Sequence, residues 1–108
     1  MATLVYLDDD MALLKLFELV FEDTQHDIVT FDNEHEGIEY CKNTPPDVLF
    51  IDYCLAKMKG DDVAKQVPSS IYKILVTGET KVNSDFFFDD TIHKPFKLME
   101  LLKAVEAF

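Results

Sequence analysis

The sequence predicts an α/β domain built on a doubly wound, five-stranded parallel sheet with the strand order 2-1-3-4-5. Three observations support this prediction. Short apolar runs alternate along the chain with amphipathic stretches of helical periodicity. The runs are apolar on both faces, which is typical of parallel strands covered by helices on either side. The connections between the runs are short, so we expect right-handed crossovers.

The elements follow one another in a regular order. Residues 4–7 form the first predicted strand, and Asp10 is placed to cap a helix over residues 11–23. Asn33 is placed to cap the second helix. The further strands are predicted at residues 28–31, 48–51, 71–76 and 91–93, and the further helices at residues 34–43, 61–67 and 97–107. Residues 79–90 carry few structural signals and have room for one or two helical turns, which makes five helices in all.

Polar side chains stand at the carboxyl ends of these strands. Asp8 and Asp9 follow the first strand, and Asp52 follows the third. Thr77 follows the fourth strand and Lys94 follows the fifth. Since the carboxyl ends of parallel strands meet at one edge of a sheet, we expect these five side chains to converge there. Carboxylates that are crowded together repel one another, so a cation is expected among them.

These five residues suit the capture of a phosphoryl group. The Asp52 carboxylate is a candidate nucleophile that would form an acyl phosphate, and Asp9 and Asp52 are candidate ligands of a hard, octahedral Mg2+. The Thr77 hydroxyl and the Lys94 ammonium group would hold phosphoryl oxygens. With the ion bound, the three carboxylates, Mg2+ and the lysine sum to zero formal charge. We therefore predict that Mg2+ raises the melting temperature by binding the folded state.

Composition narrows the class of protein. The 108 residues suffice for one core, and we expect a single domain over residues 1–108. The formal net charge of −11 and the lack of arginine argue against nucleic-acid binding, which needs clustered positive charge. No apolar run reaches the roughly 20 residues of a membrane span, and the N-terminal residues lack the pattern of a secretory signal, so a cytoplasmic protein is expected. Cys41 and Cys54 are expected to stay reduced.

Four short motifs, taken in their order along the chain, resemble the receiver domain of two-component response regulators. They are Leu-Asp-Asp-Asp at residues 7–10, Ile-Asp at residues 51–52, Val-Thr-Gly at residues 76–78 and Lys-Pro-Phe at residues 94–96. The resemblance covers nearly the whole chain. It implies a flavodoxin-like, single-domain receiver similar to that of chemotaxis, whose strand order is the one predicted above.

The resemblance also implies roles for individual residues. Asp52 would accept a phosphoryl group from a histidine kinase, a phosphotransfer protein or a small phosphodonor. Mg2+ would be coordinated by Asp9, Asp52 and the backbone carbonyl of Cys54, with Asp8 acting through a water molecule. The Lys94–Pro95 peptide bond would be cis. The protein would not be an enzyme, and it would signal through contacts with a downstream protein, as a monomer or a weak dimer.

Three features depart from the family pattern. Thr91 stands where receivers have the aromatic residue that reports phosphorylation to partners. Ala56 stands where they commonly have a proline, so the loop after Asp52 should be looser. The spacings from Asp52 to Thr77 and from Thr77 to Lys94 are short, which predicts shortened third and fourth helices. We expect intact phosphoryl capture and an altered signal output.

Two other functions fit parts of the pattern. A receiver-like scaffold that is no longer phosphorylated would account for Thr91 and the shortened helices. A dehalogenase-type phosphohydrolase also uses an aspartate at the end of a strand as its nucleophile. That class needs a second acid two residues later, where this chain has Cys54, so turnover is not expected.

Three further positions have two interpretations each. Cys54 lies two residues after Asp52, and Glu79 lies two residues after Thr77. Each could tune the access of water to a phosphoryl group. Otherwise Cys54 is an ordinary small residue and Glu79 is a solvated acid. The aromatic residues 86–88 cannot all face inward on a regular helix. We favour an irregular backbone that lets them fill the core, and the alternative is an exposed hydrophobic docking patch.

Overall fold

The computed structural model describes residues 1–79 and 81–108. Its five strands are β1 (Thr3–Leu7), β2 (Asp27–Phe31), β3 (Val48–Asp52), β4 (Tyr72–Thr77) and β5 (Asp90–His93). They form one sheet in which every pair of neighbours is parallel and the order is β2-β1-β3-β4-β5. The predicted fold class and strand order are therefore confirmed.

The described residues contain four helices, α1 (Met11–Phe21), α2 (Glu34–Asn43), α3 (Gly60–Gln66) and α4 (Leu98–Ala104). Asp10 caps α1, because its side chain accepts hydrogen bonds from two backbone N–H groups of the first turn. Asn33 caps α2 by accepting from one such group. The helices and strands begin and end within three residues of the predicted bounds, which is the usual uncertainty at the ends of elements.

The predicted helical turns between β4 and β5, which would be the fourth helix along the chain, do not form in residues 81–89, so this prediction is wrong there. Thr80 lies outside the described residues. Phe86 and Phe88 pack against the hydrophobic core, whereas Phe87 is 95% exposed. This alternation is the period of extended chain, in which neighbouring side chains point in opposite directions. The favoured interpretation, that all three phenylalanines fill the core, is thus correct for two of them only.

The sheet carries a hydrophobic core on each face. Leu4 and Tyr6 of β1 contribute to one core together with α1 and α4, and Val5 and Leu7 contribute to the other core together with α2 and α3. This two-sided packing buries the interior strands and explains their unbroken apolar sequences. None of the described helices combines the length and the apolar character that crossing a membrane requires.

Candidate functional site

The sheet places four of the predicted site residues along one edge. β1, β3, β4 and β5 are consecutive neighbours in the sheet, so their carboxyl ends lie side by side. Asp8 follows β1, Asp52 is the last residue of β3, Thr77 is the last residue of β4 and Lys94 follows β5. Distant parts of the chain therefore meet at this edge because their strands are parallel and of similar length.

Three carboxylates lie together at this edge. Asp8, Asp9 and Asp52 each offer one carboxylate oxygen, and these oxygens all lie within 4.8 Å of one another. Asp8 is 0% exposed and Asp52 is 4% exposed, whereas Asp9 is open to solvent. Two buried negative charges and one exposed negative charge thus face the same small volume, which can be reached from solvent on the side of Asp9.

Asp8 is held by donors on both of its oxygens. Its Oδ2 accepts a hydrogen bond from the Tyr6 hydroxyl and lies 3.2 Å from the Lys94 Nζ. Its Oδ1 accepts from the backbone N–H of Asp10 at 2.9 Å. Burial and the neighbouring Asp8 raise the pKa of the Tyr6 hydroxyl, so that this group remains a donor. The charge of Asp8 is therefore compensated inside the protein, as a buried carboxylate requires.

Lys94 links the two buried carboxylates. Its Nζ donates to the Asp52 Oδ1 at 2.9 Å, in addition to its contact with Asp8. Burial acts to lower the pKa of Lys94, but the hydrogen bond to Asp52 and the charge of Asp8 outweigh it, and the pKa lies above its usual value. Lys94 therefore keeps its positive charge at the site throughout the physiological pH range.

Asp52 is the carboxyl group whose proton affinity the site changes most clearly. Burial raises the pKa of Asp52 from 3.8 to about 6, and the charges of Asp8 and Asp9 act in the same direction. The hydrogen bond from Lys94 opposes this rise without cancelling it. The ionised form of Asp52 is thus disfavoured until a further cation reaches the site.

Thr77 ends β4, Glu79 follows it and Cys54 follows β3, so these three residues lie at the same edge of the sheet. The Thr77 side chain is 1% exposed, and its Oγ1 accepts from the backbone N–H of Glu79 at 3.0 Å. The exposed Cys54 thiol donates to the Glu79 Oε1 at 3.4 Å, so these two side chains meet above the edge of the sheet. Desolvation and this hydrogen bond raise the pKa of the Cys54 thiol. The thiol is therefore not primed as a nucleophile.

Gly60 allows α3 to begin close to Asp52. A Cβ placed on Gly60 would lie 2.8 Å from the backbone oxygen of Asp52, closer than real Cβ atoms approach such an atom. The Gly60 N–H donates to the Tyr53 oxygen at 2.8 Å, and Cys54 and Lys59 form an isolated antiparallel bridge. The two ends of the loop that joins β3 to α3 are therefore held together beside the edge of the sheet that carries Asp8, Asp9 and Asp52, which we call the acidic edge.

The donor set fits a hard divalent cation. Carboxylate oxygens are the ligands that Mg2+ prefers, and a metal ion among three crowded carboxylates relieves their mutual repulsion. Asp9 is exposed and is thus the member of the cluster most available to a hydrated ion. Asp8 has both oxygens engaged by protein donors. The donors to Asp8 favour an outer role for this residue, in which it acts through water.

The structure also shows the predicted cis peptide bond, the position of Thr91 and the surroundings of the histidines. The Lys94–Pro95 peptide bond is cis, as the resemblance implies. Thr91 is exposed on β5. Within residues 1–79 and 81–108 no histidine joins the acidic cluster, and His26 instead accepts a hydrogen bond from the backbone of Ala2 through its Nδ1.

Two residues that contact this region were not predicted from the sequence. Tyr6 stands two positions before Asp8, and side chains two apart in a strand share a face, so this pair could have been found. Glu34, at the start of α2, accepts from the backbone N–H of Lys57 at 3.1 Å. No local pattern connects those two residues, which are far apart in the sequence.

The fold and the site together define the receiver class of signalling domain. The defining features are the doubly wound parallel sheet, the cluster of aspartates at the carboxyl ends of its strands and the lysine after its last strand. The chain matches the response regulator receiver domain over residues 4–106, and it belongs to this family.

Known proteins of this family share the fold at low sequence identity. The response regulator receiver domain protein (CheY-like) of Methanospirillum hungatei JF-1 has a TM-score of 0.84 and 19% identity, covering 94% of this chain and 89% of that chain. The chemotaxis protein CheY4 of Vibrio cholerae has a TM-score of 0.79 and 20% identity, covering 99% and 98%. These likenesses concern the fold alone.

Two curated relatives are longer than this chain. The nisin biosynthesis regulatory protein NisR of Lactococcus lactis subsp. lactis is 23% identical, over 96% of this chain and 48% of that protein. The cell cycle response regulator CtrA of Brucella ovis is 29% identical, over 94% of this chain and 47% of that protein. The chain thus spans about half the length of the curated relatives it matches.

Proposed function

We propose that this domain accepts a phosphoryl group on Asp52 and uses the modified form as a signal. One observation supports the proposal above the others: the Asp52 carboxylate lies within 4.8 Å of two further carboxylates and 2.9 Å from the Lys94 Nζ. Neighbouring carboxylates do not stabilise the ionised Asp52, since the crowding of like charges raises its free energy. The arrangement suits chemistry in which negative charge arrives and must be balanced.

The reaction transfers one phosphoryl group from a donor to the Asp52 carboxylate. A carboxylate oxygen of Asp52 attacks the phosphorus of a phosphorylated donor, and a new O–P bond forms as the bond from phosphorus to the donor breaks. The bonding electron pair leaves with the donor, which is a phosphorylated histidine of a kinase, a phosphotransfer protein or a small acyl phosphate. The product is an acyl phosphate on Asp52.

The residues around Asp52 have distinct roles in this proposal. Asp9, Asp52 and the backbone carbonyl of Cys54 would hold Mg2+, with Asp8 acting through water, and the ion would supply positive charge to the incoming phosphoryl oxygens. Lys94 carries a further positive charge at the same edge. The Thr77 hydroxyl would donate to a phosphoryl oxygen, because its Oγ1 already accepts from a backbone N–H.

The output is proposed to be contact with a downstream protein rather than turnover of a substrate. Relatives of this chain are response regulators of about twice its length. The exposed Thr91 cannot act as the aromatic reporter that receivers have at this position, so the signal must pass through other contacts. We further propose that the domain works with a histidine kinase in the cytoplasm.

Intact mass spectrometry tests the proposal directly. The wild-type protein, incubated with Mg2+ and a small acyl phosphate, is expected to gain the mass of one phosphoryl group. Asp52→Asn is expected to gain none. Asp23→Asn, which makes the same chemical change at an exposed position after α1, should behave as the wild type does.

Each contrary result has a distinct meaning. A wild-type protein that gains no mass would refute phosphoryl capture and favour the scaffold. Uptake by both the wild type and Asp52→Asn would move the acceptor to another residue. Release of many equivalents of phosphate per protein molecule would favour a phosphohydrolase.

A further inference from the structure

The loop between β3 and α3 carries Cys54, whose backbone carbonyl is the proposed third ligand of the metal. The base of this loop is closed by the bridge between Cys54 and Lys59 and by the hydrogen bond from Gly60 to Tyr53. The far part of the loop has no proline at Ala56 to restrict its backbone. Contacts of the loop with other elements therefore contribute to its orientation relative to the carboxylates.

Glu34 supplies such a contact. It is 2% exposed, and its Oε1 accepts from the backbone N–H of Lys57 at 3.1 Å. Glu34 is the first residue of α2, where the helix dipole and a backbone donor both favour negative charge. The buried carboxylate is thus stabilised by the elements that it joins, α2 and the loop.

We propose that Glu34 is a positioning residue that ties the loop to α2 and thereby keeps the Cys54 carbonyl beside Asp9 and Asp52. The proposal rests on the proposed function to the extent that the Cys54 carbonyl binds the ion. A buried side chain that accepts from a single loop amide restrains the backbone at that point. Cys54 belongs to the base that the bridge to Lys59 closes, so restraint at Lys57 limits the movement of the loop as a unit and thereby that of Cys54.

Amide hydrogen exchange, followed by NMR, measures the tether without reference to activity. In Glu34→Ala the Lys57 amide is expected to exchange about tenfold faster, because its one side-chain acceptor is lost. Glu34→Gln keeps an oxygen that can accept, and it should restore most of the protection. Glu36→Ala removes an exposed carboxylate from the same helical turn and should leave the Lys57 amide unchanged.

Calorimetric titration with Mg2+ tests the consequence for the metal site. Glu34→Ala is expected to weaken Mg2+ binding by about tenfold, the lower end of the range for groups that orient metal ligands. Glu34→Gln and Glu36→Ala should bind nearly as the wild type does. If Glu34→Ala does not fold, Glu34→Asp takes its place, because its shorter side chain keeps the charge and withdraws the oxygen from the amide.

Three results would overturn the inference in separable ways. Equal exchange of the Lys57 amide in the Glu34 and Glu36 variants would show that no tether exists. Faster exchange with unchanged Mg2+ affinity would reduce Glu34 to a purely structural role. A wild-type protein that binds no Mg2+ would overturn the proposed metal site and the role of Glu34 toward it, while the exchange data would still decide whether the loop is held.

Discussion

Replacing Asp52 with asparagine should stabilise the metal-free protein at neutral and alkaline pH. The pKa of Asp52 is raised from 3.8 to about 6 by burial and by the neighbouring acids. The folded state therefore holds this proton more tightly than the unfolded state does. Stability from this group is lost as the pH rises from about 4 to above 6, because the unfolded chain then ionises more readily than the folded protein.

The size of the effect follows from the shift. At 1.36 kcal/mol for each unit, a rise from 3.8 to about 6 corresponds to about 3 kcal/mol of lost stability once the pH is well above 6. Asparagine mimics the neutral form and avoids this loss, but it pairs less strongly with Lys94. We therefore expect Asp52→Asn to raise the free energy of unfolding by about 1–3 kcal/mol at pH 8.

Urea denaturation at pH 4, 6 and 8 with the metal chelated measures this difference. The gain from Asp52→Asn should be largest at pH 8 and should be small at pH 4, where the wild-type carboxyl group is protonated in the folded state and only partly ionised in the unfolded state. Mg2+ should narrow the gap, since a ligand at ten times its Kd adds about 1.4 kcal/mol to the wild type alone. A variant that is equally stable or less stable at pH 8, or a wild-type melt that Mg2+ leaves unchanged, would refute the reasoning.

Further substitutions test the packing around the site and in the segment 81–89. Tyr6→Phe removes a donor to the buried Asp8 and should lower the free energy of unfolding by about 1–3 kcal/mol in urea titrations at pH 7. Gly60→Ala forces a Cβ to within 2.8 Å of a backbone oxygen and should cost about 1–3 kcal/mol by the same measurement, whereas Gly78→Ala meets its nearest atom at 3.8 Å and should cost less. Phe87→Ser should change stability by less than about 0.5 kcal/mol, and light scattering should give the wild-type mass.

Matched substitutions separate these effects from general disruption. Tyr53→Phe removes a hydroxyl that donates to the neutral carbonyl of Asn83 at 3.1 Å, and it should cost less than Tyr6→Phe. Phe88→Ser removes a partly buried side chain that packs against the core and should destabilise the protein clearly more than Phe87→Ser. A reversed order in either pair would contradict the packing described above. A smaller mass for Phe87→Ser than for the wild type would instead favour the docking patch.

The sheet could be predicted because its evidence is local. Each buried strand appears as a continuous apolar run, and the alternation with helical stretches limits the topology to a few choices. The prediction of helical turns in residues 81–89 failed because it was inferred from the length of chain available and not from a periodic pattern. Its aromatic residues alternate between core and solvent, and that alternation depends on a core surface which the rest of the chain builds.

Which side chains stand at the ends of the parallel strands can be read from the sequence, because polar residues that terminate apolar runs are visible without knowing any contact. How these side chains are supported becomes visible in the folded molecule alone. The tether from Glu34 to Lys57 and the raised pKa of Asp52 depend on burial and on neighbours from distant segments. Burial is a property of the packed molecule, so no local pattern could have specified it.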